Sequence, residues 1–124
     1  MIRKLALAIL FVALGTMSAL AATFSGTWMA QMVVPQGDRA STTTFFFGVS
    51  GATVTGKVTT PQGVFVISDG QIAGNTITFS ATMTLGGKKM TSIYKGKMNR
   101  SGMIIFSRTT GYRPTPRFTA IRSN

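Results

Sequence analysis

Asp38 and Asp69 are the only carboxylates in this 124-residue chain, which also has no histidine, cysteine or glutamate. Hydrolysis by paired carboxylates would need the two to converge across a site. They fall instead in separate turn stretches, "PQGD" and "ISDGQI". A serine nucleophile would have no histidine as its base, and no serine–lysine pair stands in a recognisable frame. Zinc lacks its nitrogen and sulfur ligands, and neither aspartate lies in an oxygen-rich loop of the kind calcium needs. A phosphate-cradling glycine loop requires a following helix, and no stretch reads as one. No enzymatic activity, cofactor or metal is therefore expected. Asp69 with Gly70, between two strand-forming runs, reads as a turn or bulge device more readily than as a contact to a ligand amine.

What the chain has in quantity is positive charge, and its first residues say where that charge goes. "MIRKLALAILFVALGTMSALAA" has a basic start, Arg3 and Lys4, an apolar run from Leu5 to Leu14, and a small-x-small site at Ala19, Leu20 and Ala21. That is the layout of a secretory signal peptide. The apolar run is shorter than the roughly 20 residues of a spanning helix, and no basic flank follows it. Export with cleavage after Ala21 is expected, to the periplasm or the medium, with no membrane span afterwards. Residues 22–124 would then form one domain, unstapled because cysteine is absent. Removing Arg3 and Lys4 leaves eleven basic residues against two aspartates, a net charge of +9.

The remaining cations are spaced rather than bunched: Arg39, Lys57, Lys88, Lys89, Lys95, Lys97, Arg100, Arg108, Arg113, Arg117 and Arg122. Such charge keeps a small exported protein soluble, or draws it to envelope lipid, acidic polysaccharide or nucleic acid. Lys95, Lys97, Arg100, Arg108, Arg113 and Arg117 are the candidate basic surface. Nucleic acid fits least well, because the expected export argues against it and aromatic residues are not interleaved with the cations.

The elements that must position these residues are all strands. Thr, Val, Ile and Phe dominate the chain, and turn residues interrupt it at short intervals. Strands are predicted at 24–34, 39–48, 51–59, 62–72, 75–85, 88–98, 102–110 and 115–122. In "NTITFSATMTL", Ile77, Phe79, Ala81, Met83 and Leu85 alternate with Thr76, Thr78, Ser80, Thr82 and Thr84, one face dry and one wet. Phe24, Gly26, Trp28, Ala30, Met32 and Val34 repeat the pattern, as do Ala52, Val54, Gly56 and Val58. In "FFF" at 45–47 both faces are aromatic, so alternation assigns no inward side, and a partner-facing patch is an alternative. "DGQIAGNTITFSAT" and "KGKMNRSGMIIFSRT" echo each other, matching Gly70 with Gly96, Ile72 with Met98 and Phe79 with Phe106, as two hairpins would. Mid-strand glycines at 56, 70 and 96 are expected at bulges or sharp bends. Connections this short permit only antiparallel neighbours, and a meander of this kind removes its exposed edges by closing. An all-β, eight-stranded antiparallel up-and-down barrel is predicted, with a two-sheet sandwich as the alternative.

"GTW" at Gly26, Thr27 and Trp28, eight meandering strands and a basic residue in the last of them, "RFTAIR", resemble the calycin barrels, the group of lipocalins, fatty-acid-binding proteins and avidins. Chain length is closest to the small secreted bacterial members. The resemblance implies that Trp28 lies across one barrel end with Arg122 over it, or Arg117 in its stead, and that Gly26 leaves room for the approach. Eight strands enclose an interior just wide enough for side chains or for one small ligand. Trp28, Met32, Val54, Phe79, Met83 and Tyr94 would line it, receiving a small hydrophobic or anionic amphipathic compound whose carboxylate meets a cation at the mouth. The methionines, Met29, Met32, Met83, Met90, Met98 and Met103, suit adaptable core filling. The alternative expectation is a ligand-free structural or interaction module, its interior filled and its basic exterior meeting an anionic envelope component or a protein partner.

Overall fold

The computed structural model describes residues 21, 23–33, 40–111 and 113–123, apart from the side chains of residues 32, 33, 40, 113, 115 and 116. The expected signal segment up to residue 20, and Asp38 in the first connection, lie outside the described residues. Eight strands follow one another: β1 (Gly26–Val33), β2 (Ala40–Ser50), β3 (Thr53–Thr60), β4 (Gly63–Ala73), β5 (Thr76–Leu85), β6 (Lys88–Met98), β7 (Ile104–Thr110) and β8 (Arg113–Ser123). Each pairs antiparallel with its sequence neighbour, and β1 pairs with β8 to close the cylinder. Closure through Trp28↔Arg122 and Met29↔Ile121 excludes the sandwich, whose end strands would not meet.

Alternation decides what faces in. On β5, Ile77, Phe79, Ala81 and Met83 are buried between outward hydroxyl residues. Leu85 departs from the predicted dry face: it is 60% exposed, because it projects past the rim beside the Gly86–Gly87 turn. On β2 the register places Phe45 and Phe47 inside and Phe46 outside. Rings from five strands then meet inside. Phe45 stacks on Phe106 at 4.8 Å between centroids, Phe106 on Phe118 at 5.6 Å, and Phe79 on Tyr94 at 4.9 Å, while Phe47 lies edge-on to Phe79 at 5.4 Å. An eight-stranded barrel is just wide enough for its own side chains, and these rings occupy the middle of it.

The pattern breaks where the walls bend. Between Val54/Lys57 on β3 and Ser68/Gln71 on β4, the pairings give β4 one residue more than either neighbour. Ser68 and Asp69 therefore both face out, and Asp69 has φ of 53°. This is the bulge expected of the Asp–Gly pair. β8 likewise carries an extra residue between Thr115 and Phe118 relative to β7. Gly96 is not at a bulge or bend: its pairing is regular on both sides. It is there for space, since a Cβ would stand 2.6 Å from the Phe106 ring. In the β6–β7 loop, Asn99 Oδ1 accepts hydrogen bonds from the Ser101 and Met103 N–H groups, each at 3.0 Å, which is how "NRSG" makes its turn.

Candidate functional site

One end of the barrel is built around Trp28. Its ring is fully buried, and its Nε1–H donates to the Phe24 carbonyl at 2.9 Å, so the one polar atom of the indole is satisfied. Phe24, itself buried, precedes β1 and donates its N–H to the Ala21 carbonyl at 3.1 Å. The Arg122 guanidinium lies over the indole, 4.4 Å from its centroid. Its Nη1 donates to the Ser25 carbonyl at 2.7 Å and its Nη2 to the Thr23 carbonyl. A cation on a π face, with its N–H donors turned to backbone carbonyls, ties β8 to the segment entering β1. Alternation along "RFTAIR" settles the choice of arginine. Phe118 and Ala120 are buried, so Arg122 shares their face, while Arg117 points outward. Gly26 is needed where it stands: its φ is 120°, and a Cβ there would come within 3.0 Å of Arg122 Nη1.

Of the residues expected to line the interior, Trp28, Val54, Phe79, Met83 and Tyr94 are all buried. Met32 is paired with Ser41 on β1, but its side chain is outside the described residues. Sequence reasoning did not name Phe45, Phe106 and Phe118 as interior residues. The even spacing of Phe118, Ala120 and Arg122 was the signal for the last of them.

Toward the other end, polar groups join buried Val58, Phe65 and Met83 in the interior. Thr43 and Ser92 are buried, and Ser92 Oγ and Thr110 Oγ1 are 2.7 Å apart across β6 and β7. Arg108 corrects an expectation. It pairs across the same two strands with inward Tyr94 and is half-buried inside, so it does not belong to the outer basic surface. Burial pushes the Tyr94 phenol above its ordinary value of 10.0, and the Arg108 guanidinium, hydrogen-bonded to it, pulls part of that back. The folded chain thus holds the Tyr94 proton more tightly than the unfolded one. That contribution is complete below pH 10 and is lost as pH rises through the raised folded value. Urea unfolding followed from pH 8 upward is expected to show stability falling above about pH 10, and more steeply than in Tyr94→Phe. Equal slopes in the two proteins would remove this role.

Outside, Lys57, Lys88, Lys89, Lys95, Lys97, Arg100 and Arg117 are exposed, and Asp69 is the only carboxylate among the described residues. Lys95 and Lys97 stand on the outer face of β6, Arg100 in the loop after it, and Arg117 on β8. The Arg113 side chain is outside the described residues. On the wall formed by β1 to β4, Lys57 Nζ lies 5.1 Å over the Phe46 ring. Beside it an open groove of about 600 Å³ runs between Thr27, Phe46, Gly48, Gly56, Val64 and Val66.

Comparison with protein-family models, with curated proteins and with solved structures found no match. The closed eight-stranded antiparallel barrel is consistent with a calycin-like fold, and the resemblance holds at that level.

Proposed function

We propose that this chain is a non-catalytic, exported interaction module that holds an anionic component of the cell envelope against its basic outer wall. The observation that carries the reading is a division of labour between the two faces of the sheet. The middle of the interior is taken up by rings in mutual contact, such as Phe45 between Phe106 at 4.8 Å and Tyr94 at 5.6 Å. The exposed cations stand outside, against the single carboxylate Asp69 among the described residues. An acyl chain lying along the axis would have to displace those rings. Export is supported by the three-part layout of residues 1–21.

The test is retention of the purified protein on a sulfated polysaccharide matrix and on vesicles containing phosphatidylglycerol. Binding is expected near 20 mM salt and is expected to weaken severalfold by about 300 mM, because screening shortens the reach of exposed charges. No retention on either surface at low salt sinks the reading.

A second reading, an interior site for the anionic head of a small amphipathic compound, is favoured by Arg108, Tyr94, Ser92 and Thr110 sharing one inward region. Native mass spectrometry of protein isolated from its own host, showing a stoichiometric small-molecule adduct lost in Arg108→Met, would move the function there.

A further inference from the structure

The cations of the outer wall are not spread evenly around it. Lys95 and Lys97 are successive outward residues of β6, about 7 Å apart along an extended strand. Lys95 pairs with Thr78 of β5 on one side and with Ser107 of β7 on the other. Ser107 in turn lies opposite the extra residue of β8, between Thr115 and Phe118, where Arg117 points outward. Two strand spacings put the Arg117 backbone roughly 10 Å from that of Lys95. Arg100 follows, exposed, in the loop after β6. Lys57 on β3, and Lys88 and Lys89 at the start of β6, stand outside this group. Hydroxyls fill the spaces between its members. Thr78, Ser107, Thr109 and Thr119 face outward with them, and Ser107 Oγ, donating to the Lys95 carbonyl at 3.5 Å, keeps its lone pairs for a ligand. The exposed isoleucines here stand singly, Ile93 between Ser80 and Thr109, and Ile105 between Lys97 and Thr119.

Resting on the reading that the partner is anionic, we infer that the outer face of β6 to β8 binds an acidic polysaccharide. Lys95, Lys97, Arg100 and Arg117 meet its carboxylate or sulfate groups, and the serine and threonine hydroxyls meet its sugar hydroxyls. Charge density is the first reason. Cations about 7–10 Å apart lie within roughly one Debye length at physiological salt, so their fields add on a chain of like charges. Chemistry between the charges is the second. A hydroxyl both donates and accepts, which suits a ligand carrying hydroxyls between its anions. A bilayer calls for a continuous apolar face to insert, and here polar neighbours interrupt each isoleucine. A nucleic acid calls for rings on which its bases stack. Among the described residues the one aromatic ring in solvent is Phe46, on β2. A second copy of this face would set its cations against each other, and the centre of a protein–protein interface is poor in lysine. Asp69 fixes the side on which the polymer lies. Its bulge on β4 borders Thr78 and Ser80, two strands from Lys95 and away from Arg117, so an anionic chain passes over β7 and β8.

Titration with polygalacturonate, dextran sulfate and neutral dextran tests this, beside phosphatidylglycerol vesicles and a single-stranded oligonucleotide. The two acidic polymers are expected to bind and neutral dextran is not. Lys95→Gln combined with Arg117→Gln is expected to weaken polygalacturonate binding about fivefold or more, with the melting temperature held, because both side chains are exposed. Lys57→Gln combined with Lys88→Gln removes the same charge elsewhere and is expected to weaken it less than about twofold. Asp69→Asn keeps a residue that tolerates positive φ and is expected to tighten binding about twofold. Equal losses in the two double variants mean that total charge alone governs binding, which overturns the face and leaves the envelope reading standing. Binding to the vesicles without binding to either acidic polymer does the same, as does tighter binding to the oligonucleotide than to both. Binding to neither polymers nor vesicles ends both. Should the Lys95/Arg117 variant lose its fold, acetylation of the wild-type lysines by limiting acetic anhydride gives the reading directly. Protection of Lys95 and Lys97 by polygalacturonate, with Lys57 and Lys88 unprotected, supports the proposal, and uniform protection overturns it.

Discussion

Trp28→Ala is expected to lower stability by about 3–5 kcal/mol, the cost of emptying a buried tryptophan site. For a domain of this size that corresponds to a fall in melting temperature on the order of 15 °C. The magnitude follows from three losses at one place. The ring is fully buried, so its apolar area returns to water and its volume becomes a cavity. The Phe24 carbonyl loses its Nε1–H donor, worth about 1 kcal/mol. The Arg122 guanidinium loses the π face beneath it, worth roughly 0.5–1 kcal/mol for an exposed cation. Trp28→Phe keeps a ring and forfeits the hydrogen bond, so an intermediate loss is expected. A double-mutant cycle with Arg122→Ala isolates the stacking term, with coupling of about 0.5–1 kcal/mol. Because Trp28 is the only tryptophan, the series is followed by circular dichroism. A melting temperature unchanged by Trp28→Ala means that the indole does not close the barrel end.

Much of this fold is written in short-range signals. Eight strands were legible because Thr, Val, Ile and Phe alternate between Gly, Asn and Pro turns, and the observed ends fall within about two residues of those expected, the ordinary uncertainty of strand ends. "FFF" was illegible because its three rings satisfy either face equally. Only pairing decided it, with Phe46 opposite outward Thr27 and Lys57. Gly96 was misread because a glycine that bends a strand and a glycine that makes room for a ring look the same in one dimension.

The candidate sites divide along the same line. Trp28, Gly26 and Arg122 were legible through the resemblance of "GTW" and "RFTAIR" to the calycin barrels, and Arg117 stayed open until burial of Phe118 and Ala120 gave the parity of β8. Arg108 reads as a surface cation in the sequence because a spaced arginine after "MIIF" carries no mark of facing in. Its parity with Phe106 was the available clue, outweighed by the expectation that charge stays in water. Whether an interior holds a ligand or its own side chains depends on three-dimensional volume. The pattern shows that Phe79 and Tyr94 face in. It does not show that they stack at 4.9 Å or that Phe118 reaches Phe106 from the last strand.

Gly56→Ala is the second large effect expected, a loss on the order of 3–5 kcal/mol from one methyl group. Two costs combine. The residue has φ of 139°, where an L side chain is strained by about 1–3 kcal/mol. Its Cβ would stand 1.8 Å from the Phe46 carbonyl oxygen and 3.0 Å from the Phe46 carbonyl carbon. A backbone neighbour cannot swing aside as a side-chain tip can, so β2 and β3 must separate, at the roughly 1–3 kcal/mol typical of overpacking. Gly48→Ala is the control. It is on the same wall, but its Cβ would meet Thr55 Oγ1 at 3.4 Å, an ordinary contact, and its φ is not in the left-handed region. Urea unfolding of the pair is expected to show a large shift for Gly56→Ala and little for Gly48→Ala. The two glycines also border the groove beside Phe46 and Lys57. Equal stability of the two variants would mean that β2 and β3 do not approach this closely, and that the groove is not shaped by the missing side chain.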